Sequence, residues 1–196
     1  MSTDWQESCR RIRAVVTDID GVLTDGGIGY GIGSPDEIKF FNVKDGTGFR
    51  LAHYAGLVTA AITGRASKAN RQRLKELAFD FVREGCTSKG QGLVDLCRDI
   101  SAAHPEQEPL LPEHCLYLGD DLIDVPAFEL CGLAVAVADA DDYAHRHADW
   151  VTRLPGGHGA AREAIERLLR ERGDYDRAVQ AYLSRGSKTA SRDSIQ

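Results

Sequence analysis

Two aspartates, Asp18 and Asp20, stand one residue apart directly after an apolar run, in the stretch VVTDIDGVLTD. In an extended chain, side chains two residues apart point to the same side. Like charges at that spacing repel, and burying either one unpaired is costly. The pair makes chemical sense if the roles are divided. An ionised Asp18 can attack phosphorus and carry an aspartyl-phosphate. A protonated Asp20 can give its proton to the departing alkoxide and then activate water. Their repulsion favours keeping one carboxyl protonated while the other stays charged. A second acidic group, Gly119-Asp120-Asp121 with Asp124 close behind, follows another apolar run. Asp18, Asp120 and either Asp121 or Asp124 make an oxygen-only cluster without histidine or cysteine at ligand spacing, which suits magnesium.

The remaining candidates are cationic or neutral donors. Thr63 offers a hydroxyl and Gly64 a backbone N–H to phosphate oxygens. Lys89 adds a full positive charge where a helix begins, and a helix N-terminus already favours an anion. Phosphoryl transfer needs mainly positioning and charge stabilisation, which this set supplies. Singly, each signal is weak: Asp-x-Asp is ordinarily a turn, Thr-Gly an ordinary strand exit, and most lysines are solvated. Their conjunction, in order and each at a strand end, carries the reading.

Elements that could position these groups are legible as apolar runs followed by helical patterns. Strands are expected at Ala14–Thr17, Val58–Ile62, Phe81–Arg83, Cys115–Leu118 and Leu133–Val137, with an edge strand at Trp150–Thr152. The runs are apolar throughout rather than alternating, as when both faces of a sheet are covered. Helices are expected at Gly48–Ala55, at Lys68–Leu77 after an N-capping Ser67, at Gly90–Ala103, at Val125–Cys131 and at Ala160–Arg172. This alternation predicts a doubly wound, Rossmann-like α/β fold: a parallel sheet with helices on both faces. In such sheets ligands sit at the carboxyl ends of the strands. Residues 26–43 break the alternation. With Gly33-Ser34-Pro35-Asp36 at their centre they read as a projecting β-hairpin.

The chain of 196 residues fits one domain. Residues 1–172 form that domain, and residues 173–196 are expected to hold one more amphipathic helix, over Asp174–Ser184, and a disordered polar tail. The formal net charge of −6 argues against a general nucleic-acid or anionic-membrane surface. The N-terminus lacks the apolar core of a signal peptide, and no run approaches the length of a membrane span. Five cysteines, an odd number without a C-x-x-C pair, point to reduced thiols in a cytoplasmic protein.

The motifs DIDGVLTD from Asp18, TGR from Thr63, Lys89, and GDDLID from Gly119 resemble those of the haloacid dehalogenase superfamily. Longer stretches, among them TGRASKANRQRLKEL, GDDLIDVPAFELCGLAVAVADA and GGHGAAREAIERLL, resemble its 3-deoxy-D-manno-octulosonate 8-phosphate phosphatases over roughly residues 12–169. The resemblance implies a magnesium-dependent phosphatase with Asp18 as nucleophile and Asp20 as general acid/base. Asp18, the Asp20 carbonyl and Asp120 would bind the metal, and Thr63, Gly64 and Lys89 the phosphate. It implies a cytoplasmic step in making the inner sugar of lipopolysaccharide. Superfamily members usually carry a cap domain, but the segments from Asp25 to Thr63 and from Thr63 to Lys89 have no room for one. A site left open to water can be closed by another subunit. The family does so as a homotetramer with hairpins at its centre, a role the 26–43 segment fits.

Two features depart from the family pattern: Glu84-Gly85 where Gln-Gly is usual, and Ser88 where an aspartate precedes the lysine. Arg65 and Arg73 are candidates to meet a sugar carboxylate, because guanidinium binds carboxylate bidentately. His158 and Arg162 are candidates for the site mouth, and the other histidines show no ligand spacing. Two alternatives stand beside this reading. One is a nonulosonate 9-phosphate phosphatase, whose relatives often carry Glu where Arg65 stands. The other is a non-catalytic scaffolding subunit related to domains fused to sugar nucleotidyltransferases.

Overall fold

In the computed structural model, which describes residues 3–33 and 36–190, the apolar runs form one six-stranded sheet. Its strands are β1 (Ala14–Thr17), β4 (Val58–Ile62), β5 (Phe81–Arg83), β6 (Cys115–Gly119), β7 (Leu133–Ala136) and β8 (Trp150–Val151). The order is β5-β4-β1-β6-β7-β8, and every neighbouring pair is parallel. β1, β6 and β7 are buried along their whole length, as their unbroken apolar sequence requires. The order reverses between β1 and β6. The crevice beyond their carboxyl ends is therefore the topological switch point, where doubly wound sheets bind ligands.

Eight α-helices are described: α1 (Thr3–Arg11), α2 (Val43–Tyr54), α3 (Lys68–Glu76), α4 (Lys89–Ala103), α5 (Val125–Phe128), α6 (Asp142–His147), α7 (Ala160–Arg172) and α8 (Tyr175–Ala190). On one face α2 packs on α7 and α8, and α1 on α7; on the other, α5 packs on α4 and α6. No described helix is long and apolar enough to cross a membrane. Among the described residues, the segment between β1 and β4 holds only a small hairpin and α2, and that between β4 and α4 only α3 and β5, with no cap domain in either.

Expected and observed elements differ in instructive places. α2 begins five residues before Gly48, because Asn42 caps it: the Asn42 side chain accepts from the Lys44 N–H at 2.9 Å. The glycines of the DGTG stretch are interior to the helix. A Cβ on Gly46 would lie 2.8 Å from Leu77 Cδ2, and one on Gly48 would lie 2.8 Å from Arg162 Cα. They permit close packing rather than mark a helix start. Ser67 stands at the head of α3 without a side-chain capping bond. The helix expected over Val125–Cys131 is shorter and is entered through a 3-10 turn, Leu122–Asp124. The helices α1 and α6 were not anticipated. The hairpin is short: β2 (Gly29–Tyr30) pairs antiparallel with β3 (Glu37–Ile38). The tail expected to be disordered from Arg185 is helical as far as Ala190, where α8 ends; residues 191–196 and the Ser34-Pro35 turn expected in the hairpin lie outside the described residues.

Candidate active site

Strand β1 delivers Asp18 to the switch point. The Asp18 N–H donates to Leu118 O at 2.9 Å, extending the β1–β6 ladder by one residue. Its Oδ1 accepts from the Ile19 N–H at 2.6 Å and pairs with Lys89 Nζ at 2.7 Å. Lys89 is the first residue of α4, and its side chain is 1 % exposed, so its charge survives only because partners surround it. The same Nζ donates to Ile62 O, at the end of β4, at 2.6 Å, and lies 3.5 Å from Asp124 Oδ1. One ammonium thus ties together the ends of β1 and β4 and the turn after β6.

Asp120 follows β6. Asp18, Asp120 and Asp124 present carboxylate oxygens all within 4.8 Å of one another. Of the two alternatives for the third acid, Asp124 joins the cluster. Asp121 is exposed and spends its side chain on the Leu122 N–H at 2.7 Å. Asp124 is fully buried. Its Oδ2 accepts from the N–H groups of Asp120 and Asp121 at 2.9 and 3.3 Å, and its Oδ1 from Tyr117 Oη at 2.9 Å. Gly21, at a φ of 90°, brings the first loop against this cluster: a Cβ there would meet Asp120 Oδ2 at 2.0 Å.

The electrostatics follow from this crowding. Burial pushes the Asp120 carboxyl up to about 8, with the charges of Asp124 and Asp18 adding to it. Burial likewise pushes Asp18 up to about 6; Lys89 opposes the rise and Asp124 adds to it. Burial and the Asp124 charge hold the Tyr117 hydroxyl well above its ordinary value, so it remains a donor. Asp120 Oδ1 is buried without a hydrogen-bond partner among the described residues. Three carboxylates, an orphaned oxygen and no imidazole or thiolate in the cluster fit a hard divalent cation.

Thr63 is buried at the end of β4, and its Oγ1 accepts from the Arg65 N–H at 3.2 Å. Gly64, next to it, is exposed. Asp20 is half-buried, and its Oδ1 is held by Lys39 Nζ at 2.5 Å. Lys39 sits beside β3 and also lies 3.2 Å from Glu37 Oε2; no local sequence signal pointed to it. Arg65 Nη1 pairs with Glu37 Oε1 at 2.9 Å. Arg73 donates from Nη2 to Asn42 O at 3.2 Å, stands 3.5 Å from Glu76 and lies over the Phe41 ring. Glu84, one of the departures in sequence, is neutralised by Arg71 Nε at 2.6 Å. His158 is exposed and closes on its own loop through Gly156 O, 2.7 Å from Nδ1, while Arg162 Nε pairs with Glu166 at 2.8 Å. That glycine loop braces the loop carrying the aspartates: the Gly157 N–H donates to Val22 O at 2.9 Å, and a Cβ on Gly156 would fall 1.7 Å from Gly21 O. A groove of about 690 Å³ along α7 shares no residue with the acidic cluster.

A family model described as haloacid dehalogenase-like hydrolase matches residues 58–163. Fold and site together define a capless hydrolase of that class. Over 178 residues the chain is 40 % identical to the 3-deoxy-D-manno-octulosonate 8-phosphate phosphatase KdsC of Escherichia coli strain K12, covering 91 % of this chain and 90 % of that one. The Moraxella catarrhalis phosphatase of the same name, solved with magnesium, phosphate and KDO, superposes with a TM-score of 0.84 at 30 % identity, over 93 % of this chain and 99 % of that one. The Yersinia pestis phosphatase gives 0.79 at 34 % identity, over 90 % of each chain. The chain belongs to the 3-deoxy-D-manno-octulosonate 8-phosphate phosphatase family.

Proposed function

We propose that this chain is a magnesium-dependent phosphatase that hydrolyses 3-deoxy-D-manno-octulosonate 8-phosphate through an aspartyl-phosphate on Asp18. The observation that carries this reading is the Asp18 carboxylate, aligned by Lys89 at 2.7 Å within an acidic cluster at the switch point of the sheet. The name of the Moraxella catarrhalis structure, with magnesium, phosphate and KDO together, supports the substrate. Asp18, the Asp20 carbonyl and Asp120 would hold the magnesium, with Asp124 behind them. Bound there, the ion would screen the approach of one anion to another.

The chain's own groups do the rest. The Asp18 oxygen not engaged by Lys89 attacks phosphorus, and the phosphorus–oxygen ester bond breaks. Asp20 gives its proton to the departing alkoxide. The Asp20 carboxylate then takes a proton from water, whose oxygen attacks phosphorus and releases Asp18 and inorganic phosphate. Lys89, the Thr63 hydroxyl and the Gly64 N–H hold the phosphate oxygens. Arg65, exposed beside the hairpin and keeping its pair with Glu37, and Arg73, in the last turn of α3, are assigned to the sugar carboxylate.

Residues 1–172 form the catalytic unit in this reading, and α8 of the appended segment packs on α2, with the Tyr54 and Tyr182 rings 6.1 Å apart. The assembly is a homotetramer built on the hairpins, a role supported by the exposed Tyr30, Ile32, Ile38 and Phe40. Its setting is the cytoplasm, which the five free cysteines favour. The test is phosphate release, with and without magnesium, from octulosonate 8-phosphate, a nonulosonate 9-phosphate and hexose phosphates. Highest kcat/KM on the octulosonate is expected, and Asp18→Asn should lower it by more than ~10³-fold. A preference for hexose phosphates would overturn the substrate; unchanged turnover in Asp18→Asn would overturn the chemistry.

A further inference from the structure

We propose that Lys39 is the positioning residue for the acid–base carboxylate: it holds one oxygen of Asp20 so that the other serves the leaving group. The proposal rests on the phosphatase reading above. The Lys39 side chain has 0 % exposure, although lysine is ordinarily solvated. A buried ammonium is retained only where carboxylates and hydrogen bonds compensate it. Its partners are Asp20 Oδ1 at 2.5 Å and Glu37 Oε2 at 3.2 Å. Glu37 is fixed from its other oxygen by Arg65 Nη1 at 2.9 Å. Arg65 is the residue after the Thr63-Gly64 turn, and its N–H donates to Thr63 Oγ1 at 3.2 Å.

The chain of contacts Asp20–Lys39–Glu37–Arg65 therefore runs from the loop after β1 to the turn after β4, through the hairpin. It joins the group assigned to the proton with the turn assigned to the phosphate, and both ends rest on the sheet. The hairpin thus does more than project: the residue following β3 reaches back into the site. Lys39 Nζ engages Oδ1 and leaves Oδ2 of Asp20 available. As the ester bond breaks, the proton on Oδ2 passes to the alkoxide oxygen, and the carboxylate that results is already paired with Lys39 through Oδ1. Lys39 itself neither gains nor loses a proton.

Leaving groups discriminate this role from a structural one. A sugar alkoxide needs the proton, whereas 4-nitrophenolate departs without it. The ratio kcat/KM reports steps up to and including departure of the leaving group. The experiment uses the full-length protein with magnesium and compares octulosonate 8-phosphate with 4-nitrophenyl phosphate for wild type, Lys39→Met, Lys39→Arg and Glu37→Gln. Lys39→Met should lower kcat/KM on the sugar phosphate by ~30–100-fold, the scale of general-acid assistance, and on the aryl phosphate by less than about threefold. Lys39→Arg should recover most of the loss, and Glu37→Gln should fall between. Both substrates are measured on one preparation, so an unfolded fraction cancels from their ratio. If Lys39→Met does not fold, the ratios of the other two variants decide. Equal losses on both substrates, or no loss, would overturn the proposal while leaving the phosphatase reading intact. A wild type that releases phosphate from neither ester would overturn that reading, and this proposal with it.

Discussion

Asp124 organises the acidic cluster although its own oxygens are spent on the protein. Two backbone N–H groups and the Tyr117 hydroxyl fix its carboxylate, and Lys89 approaches the oxygen that Tyr117 holds. Removing that hydroxyl leaves a buried carboxylate oxygen short of a donor. Tyr117→Phe should therefore cost about 1–3 kcal/mol of stability, read by urea unfolding of the metal-free protein. At this scale the sequence was informative where chemistry imposes spacing. Asp18, Lys89 and Asp120 are recognisable because each follows or precedes an element whose end must face the crevice, and they converge. Spacing alone could not separate Asp121 from Asp124, because both follow the strand within one turn. The difference is that Asp121 turns outward to cap the 3-10 turn. Lys39 was invisible for another reason: it meets Asp20 only because a hairpin folds back across nineteen residues.

Among the elements, α2 and α7 are clamped by a carboxylate as well as by small residues. Asp45, in the first turn of α2, accepts from the Arg162 N–H in the first turn of α7 at 2.9 Å. Burial pushes its carboxyl up from 3.8 to about 6. The folded protein therefore holds this proton more tightly than the unfolded chain does. The resulting stability is complete below about pH 4 and is lost as pH rises through about 6, a swing of ~3 kcal/mol. Asp45→Asn keeps the acceptor and lacks the titration. The stability of wild type minus that of the variant should fall by that amount between pH 4 and 7, measured by urea unfolding at each pH. The clamp also shows why the strands were legible and α2 was not. Strands covered on both faces must be apolar, and composition records that directly. Gly46 and Gly48 read locally as helix-breaking, and only Leu77 and Arg162, far along the chain, make them necessary. α1 went unseen because only the buried Cys9 and the half-buried Trp5, with Ile12 just beyond its end, break a polar and charged sequence.

At the scale of the molecule, a site without a cap sits beside a hairpin whose outer side is apolar. Ile32, Phe40 and Val43 are largely exposed, an arrangement that a lone soluble chain avoids. Replacing Ile32 and Phe40 together by Asp should reduce the mass in light scattering after gel filtration to that of one chain, while metal-free unfolding shifts by less than about 1 kcal/mol. A mass unchanged by the double substitution would count against an assembly built on the hairpin. The glycine brace has a different consequence. Gly156 and Gly157 press on the loop of Asp18 and Asp20 from more than 130 residues downstream, and no side chain fits between them. During synthesis the nascent polypeptide can lay down the first strand early, but the loop from Gly21 to Asp25 that follows Asp20 lacks this brace until Gly156 and Gly157 have left the ribosome.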